Sequence, residues 1–143
     1  MSAEENKAIV RRLLEEGLNK GDNQVIEELV GSNFKSREDE STRTLGVEGY
    51  KEEAGIFHTA FPDGRLTIEE IVAEGDKVVA WMWFTGTHEG PLEGIPPTGR
   101  NVKVRDVDLY WVKNGKVVEG WAHFDQLGMM KQLGALGGEA EEP

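Results

Sequence analysis

The residues whose types could do chemistry crowd toward the C-terminal third: Asp106 and Asp108 in VKVRDVDLYWV, then His123 and Asp125 in GWAHFDQ. In an extended strand, residues two apart share a face, so Trp121, His123 and Asp125 share one and Asp106 and Asp108 share another. Asn114-Gly115 between the two stretches is a strong short hairpin signal. A two-residue turn there sets Lys113 opposite Lys116. Continuing that register puts Asp108 opposite Trp121, Asp106 opposite His123 and Val104 opposite Asp125. One face of the hairpin would then carry three carboxylates and one imidazole. A carboxylate across from a His fixes its tautomer and stabilises its cation, so Asp106–His123 could polarise a substrate carbonyl while Asp125 takes the proton. Burial raises a carboxylate pKa toward neutrality, which a general base needs. The same residues also admit a bland reading, a cross-strand ion pair at the surface. A metal reading is open too: His123-x-Asp125 with His88 would supply a facial triad, though not at a spacing that specifies a metal.

The elements that must position these groups are legible as patterns. Ser2 and Glu5 have capping-box spacing, and Ile9, Val10, Leu13 and Leu14 recur at helical period until Gly17 and Gly21. Asp22 caps a short second helix with Ile26, Leu29 and Val30 inside. Residues 32–42 are polar and read as an irregular connection or edge strand. A third helix runs from about 47 to 60, its buried stripe formed by Tyr50, Ala54, Phe57 and Phe61. After the turn Pro62-Asp63-Gly64 come strands at 66–72, 78–87, 102–112 and 117–124, with a Gly/Pro loop at 89–100 and a terminal helix at 127–136. Helices first and then long antiparallel strands define the α+β class. We expect one domain over residues 1–136 and a disordered acidic tail at 137–143.

Composition sets outer limits. The net charge is −11, so a phosphate backbone or an anionic membrane face is disfavoured as partner. The chain has no cysteine, which excludes disulfides, thiolate metal sites and a cysteine nucleophile. MSAEEN has neither a basic nor an apolar leader region, and no apolar run approaches a membrane span, so a cytoplasmic location is the default.

Four segments occur in a telling order: NKAIVRRLLEEGLNKGD (6–22), FPDGRLTIEEIVAEGDKVV (61–79), GTHEG (86–90) followed by GIPPTGR (94–100), and GWAHFDQLGMMKQLGAL (120–136). Together they resemble the SnoaL-like polyketide cyclases, also called ester cyclases. These share a cone fold with nuclear transport factor two and ketosteroid isomerase. The resemblance implies N-terminal helices packed in a strongly curved, mostly antiparallel sheet around one pocket. It also implies cofactor-free proton chemistry beside a carbonyl, in which an Asp on the last strand removes an α-proton and the carbanion closes a ring by aldol attack. By motif that Asp falls on Asp125. The inward face of the 78–88 strand would carry Met82, Phe84 and His88, which with Trp121, Asp108, Tyr50 and Arg37 form the expected substrate-binding set. For His88 a loop-anchoring role is an equal alternative. Where relatives carry an Asp-His pair after the second helix, this chain reads Phe34-Lys35-Ser36-Arg37, and Arg37 could meet an anionic substrate group. Trp81 and Trp83 would point outward and form a homodimer or tetramer interface. The same fold also hosts non-catalytic small-ligand binders and scaffolds, so a ligand-binding role without catalysis stays as the alternative function.

Overall fold

The computed structural model describes residues 2–135; the expected acidic tail lies outside them. Ser2 opens α1 (Ala3–Arg12) with a complete capping box: its Oγ accepts from Glu5 N–H at 3.1 Å and its own N–H donates to Glu5 Oε1 at 2.8 Å. The helix continues as a π-helical segment, Leu13–Leu18. Within it Gly17 lets α2 (Asn23–Leu29) approach, because a Cβ there would lie 3.1 Å from Ile26. Asp22 caps α2 by accepting from Gln24 N–H and Val25 N–H.

Six strands follow or interleave: β1 (Val30–Arg37), β2 (Thr42–Thr44), β3 (Arg65–Glu74), β4 (Lys77–Thr87), β5 (Asn101–Lys113) and β6 (Lys116–Phe124). α3 (Gly46–Ala60) lies between β2 and β3, and α4 (Gln126–Leu133) closes the described chain. The sheet order is β2-β1-β6-β5-β4-β3, antiparallel except where β1 runs parallel to β6. The sheet is mixed and does not close. Of the stretch expected as an irregular connection or edge strand, residues 32–37 belong to β1, which lies inside the sheet, and β2 beyond it forms the edge. The terminal helix stops at Leu133 because Gly134 turns left-handed, with φ 71°.

Two apolar clusters form. Val10, Leu13, Leu14, Ile26 and Leu29 pack on Val78, Ala80, Met82, Val112 and Val117 of the sheet. Ala60, Phe61, Val102, Val104, Met129 and Leu133 form the second. The even positions of β4 face inward and the odd ones outward, so Trp81 lies 50% exposed on the outer face. Among the described residues no helix is long and apolar enough to cross a membrane.

One register expectation needs correction. The turn is as expected, with Asn114 at φ 52°, Gly115 at φ 77° and Lys113 opposite Lys116. Two pairs further the ladder slips: Val112 faces Val117, but Trp111 faces Glu119. Val118 is an extra residue, a β-bulge. Its cause is packing. Val117 is fully buried in the first cluster, and Gly120 must also face inward, since a Cβ there would meet Phe34 at 3.2 Å and Tyr110 at 3.3 Å. Two inward residues three apart require one residue outside the alternation. A one-residue slip moves every later side chain to the other face. Asp106 therefore stands opposite Phe124 and Asp108 opposite Ala122, while His123 faces Val107 and Trp121 faces Leu109.

Candidate active site

A cavity of about 490 Å³ opens between the sheet's inner face and α3, lined from both apolar clusters. α3 contributes Tyr50, Ala54, Phe57 and His58 at helical spacing. The wall is largely aromatic. Phe34 meets Tyr50 edge-on with centroids 5.1 Å apart, and Phe57 meets Phe84 and Phe124 at 6.1 and 6.2 Å. Such edge-to-face packing fixes the rings and leaves flat apolar surfaces toward the cavity.

Into this wall β5 sends three successive inward residues, Asp106, Asp108 and Tyr110. Tyr110 Oη donates to Asp108 Oδ2 at 2.7 Å, and Asp108 is only 6% exposed. Oδ1 of Asp106 and Oδ1 of Asp108 are both buried without a partner among the described residues. Burial pushes the Asp106 carboxyl far above the ordinary carboxylate range; a hydrogen bond to Asp108 and that neighbour's negative charge push it further. Burial likewise raises the phenols of Tyr50 and Tyr110, with the charge of Asp108 second. Both therefore remain hydrogen-bond donors. Asp106 likewise keeps its proton well above the pH at which an ordinary carboxyl loses it. Each carboxyl thus keeps one buried oxygen that no described protein group engages.

The other expected site residues are distributed differently. Asp125 lies at the surface as the N-cap of α4, where Oδ1 accepts from Gly128 N–H at 2.8 Å; it does not line the cavity. His123 is exposed on the outer face, its ring tilted 49° against Trp121 with centroids 4.7 Å apart, so the expected Asp106–His123 pair does not form. Trp121 shares that outer face yet borders the cavity. Arg37 also borders it but is committed to Glu119 at 2.7 Å and lies over the Trp111 ring at 4.4 Å. Tyr50 and Phe84 line the cavity as expected, whereas Met82 is fully buried in the core behind it. His88 is fully buried under the 89–100 loop, where Nδ1 accepts from Thr98 N–H at 3.2 Å. It anchors that loop and does not reach the cavity. Arg105 points outward, 3.8 Å over the Trp83 ring. The His123, Asp125 and His88 side chains of the alternative metal reading do not converge, and no group of three potential ligands does among the described residues. His58 was not singled out from the sequence. It sits one residue past Phe57 on the stripe, and α3's helical period carries the signal.

An open α+β sheet packed over helices is the cone architecture of the SnoaL-like cyclases. The chain belongs to the SnoaL-like polyketide cyclase family, whose family model matches residues 8–133. A curated relative, the nogalonic acid methyl ester cyclase of Streptomyces nogalater, is 30% identical over 92 residues, spanning 62% of this chain and 67% of the relative. A solved structure from Jannaschia sp. CCS1, assigned to the SnoaL-like polyketide cyclases, superposes with a TM-score of 0.86 at 30% identity, covering 94% of each chain. AclR of Streptomyces galilaeus, which carries a hydroxylase assignment, superposes with a TM-score of 0.84 at 26% identity over 95% of this chain and 85% of its own. The family supports a cyclase- or isomerase-type enzyme. The likeness to AclR shows that closely similar backbones carry different chemical assignments.

Proposed function

We propose that the chain is a cofactor-free cyclase acting on a flat, apolar carbonyl compound, with the Asp106–Asp108 dyad as its acid and base. The observation that supports this most directly is the pair of buried, unpartnered carboxyl oxygens facing an aromatic cavity. Asp108, which accepts from Tyr110, takes the α-proton as the C–H bond breaks. The electron pair moves onto the substrate's carbonyl oxygen, which accepts a hydrogen bond from protonated Asp106. The resulting enolate carbon attacks a second carbonyl of the same molecule. The new alkoxide takes a proton from the dyad, so no atom is gained or lost and the product is an isomer of the substrate. Asp106 is suited to the acid's part because its carboxyl stays protonated at neutral pH. The aromatic rings supply a surface on which a polycyclic or ring-forming substrate lies flat.

The curated relative is named for nogalonic acid methyl ester, and that ester and polyketide methyl esters like it are the substrates to try first. Incubation followed by chromatography with mass detection should yield a product of unchanged mass and shifted retention. Asp108→Asn should lower the rate about 10²- to 10⁴-fold, the usual contribution of a positioned base, while Asp125→Asn retains most of it. Full turnover by the Asp106→Asn/Asp108→Asn double variant would sink the assignment.

The working unit we propose is a homodimer formed through the outer face of the sheet, in a cytoplasmic setting that suits an acidic, cysteine-free chain. Support for the interface comes from tryptophan placement. Trp81, Trp83, Trp111 and Trp121 all lie on β4, β5 and β6 at outward positions.

A further inference from the structure

Two phenols line the cavity, and one of them is already spent: Tyr110 Oη donates to Asp108. Tyr50 Oη has no hydrogen-bond partner among the described residues, and it keeps open surface where Asp106 and Asp108 each bury an oxygen. The way α3 begins puts that phenol there. Leu45 N–H donates to Phe34 O at 2.8 Å. Gly46, at φ 67°, comes so close to β1 that a Cβ would lie 3.1 Å from Ser32 O. The first turn of α3 is therefore tied to β1, and Tyr50, one turn further on, comes down beside Phe34. Its ring meets the Phe34 ring edge-on, which fixes the ring without using the hydroxyl.

The same rings lead to the dyad. A Cβ on Gly120 would lie 3.2 Å from Phe34 Cζ and 3.3 Å from the Tyr110 ring, so these two rings close over one glycine. Tyr110 in turn holds Asp108 at 2.7 Å. Tyr50, Phe34, Tyr110 and Asp108 thus form one continuous patch of the wall. The negative charge of Asp108 reaches the Tyr50 phenol, yet no hydrogen bond joins the two groups. A donor and a base close enough to feel each other but not bonded leave a gap that a substrate can span. Asp106 lies on the other side of Asp108, one inward step back along β5, roughly 7 Å by strand geometry. The base is therefore flanked by two donors, Asp106 on its own strand and Tyr50 on α3.

We infer that Tyr50 is a second catalytic donor, holding the carbonyl that receives the new carbon–carbon bond while Asp106 holds the one that gives up its α-proton. This role rests on the cyclisation proposed above and gives the substrate a direction: its enolisable carbonyl lies toward Asp106 and its receiving carbonyl toward α3. As the enolate carbon attacks, the π pair of the receiving C=O moves onto its oxygen. That oxygen accepts a hydrogen bond from Tyr50 Oη, which strengthens as the charge builds. The phenol keeps its own proton and the alkoxide takes one from the dyad, so the atoms balance. A neutral donor suits a ketone or ester oxygen and asks for no charge on the substrate, in keeping with a wall that already carries Asp106 and Asp108.

Incubating the full chain with nogalonic acid methyl ester in heavy water separates the two steps. Removal of the α-proton shows as deuterium entering recovered substrate beyond the rate without protein, and closure shows as ring product. Tyr50→Phe should slow closure about 10²-fold, the usual loss for one such donor. Proton removal continues at Asp108, so the ratio of deuterium entering to rings closed should rise at least about tenfold. Asp108→Asn, by contrast, should lose both steps together. Tyr50→Phe should melt with the unsubstituted chain, since no protein group loses a partner when the hydroxyl goes. Closure by Tyr50→Phe at the unsubstituted rate, or slower closure with no rise in that ratio, overturns the donor role and leaves the cyclisation standing. No closure by the unsubstituted chain overturns the cyclisation of this substrate class and the donor role with it.

Discussion

At the scale of single residues, the same side-chain type performs two tasks according to what surrounds it. Asp125 faces water and spends its carboxylate on a backbone N–H at the start of α4. Asp106 and Asp108 face the cavity, keep an oxygen free, and share charge at close range. That arrangement costs stability, and the cost has a pH sign. The Asp106 carboxyl is raised in the folded chain, so between the ordinary carboxylate range and its raised value the folded state binds more protons than the unfolded one. Stability therefore falls as pH rises through that window, and is highest where Asp106 is protonated in both states. Asp106→Asn removes the titration while keeping the shape. It should raise the melting midpoint at pH 8 by about 3–6 °C, corresponding to roughly 1–2 kcal/mol at this chain length. It should also flatten the decline that the unsubstituted chain shows between pH 5 and 9. Thermal melts of both proteins across that range decide it; parallel curves would show that Asp106 does not titrate in this environment.

At the scale of elements, most of the architecture was legible and the site's wiring was not, for one physical reason. Helix caps, turn residues and hydrophobic periods are local signals, and they gave α1 to α3, β3 to β6 and the Asn114-Gly115 turn within a few residues. A bulge is a tertiary decision. Val118 is extruded because Val117 fills the core while Gly120 makes room for the Phe34 and Tyr110 rings, and Phe34 comes from the parallel strand β1. Nothing local in KVVEGWAHF reveals that constraint, so an unbroken alternation sent His123 and Asp125 inward and paired Asp106 with the wrong residue. The two aspartates on β5 were themselves recoverable, because that strand has no irregularity against β4. Gly120→Val tests the cause. Its branched side chain would press on both rings, costing about 1–3 kcal/mol and narrowing the cavity. A melt unchanged within error would mean the rings yield freely and the bulge has another origin. Asp125→Ala probes the other element boundary. Loss of the cap should cost about 1 kcal/mol with turnover on the eventual substrate retained, the opposite of what a catalytic base would show.

At the scale of the whole molecule, the proposed dimer gives the two faces of one sheet different tasks. The inner face carries the dyad and the aromatic wall; the outer face carries the tryptophans in two groups. Lys103 and Arg105 lie over the Trp83 ring at 4.7 and 3.8 Å, and Arg37 lies over Trp111 and Trp121 at 4.4 and 5.4 Å. Cations over the rings explain why Trp83, Trp111 and Trp121 tolerate their position in a single chain. Arg105 also reaches the Trp81 ring, at 5.8 Å, yet leaves it 50% exposed, and no cation covers Val72, 51% exposed on the adjacent strand. An apolar centre flanked by stacked cations has the anatomy of an interface core with a polar rim. A stable pair needs about 800 Å² from each partner, which a face of β3, β4, β5 and β6 can provide. Light scattering coupled to size exclusion should give twice the chain mass at micromolar concentration and should hold at high salt, since apolar burial is not screened. Trp81→Glu with Val72→Glu should halve that mass and leave turnover on the eventual substrate in place, because neither side chain reaches the cavity. A single-chain mass for the unsubstituted protein would remove the interface. The exposed Trp81 and Val72 would then be a surface cost without a structural reason, and the two faces of the sheet would no longer be explained by a division of labour.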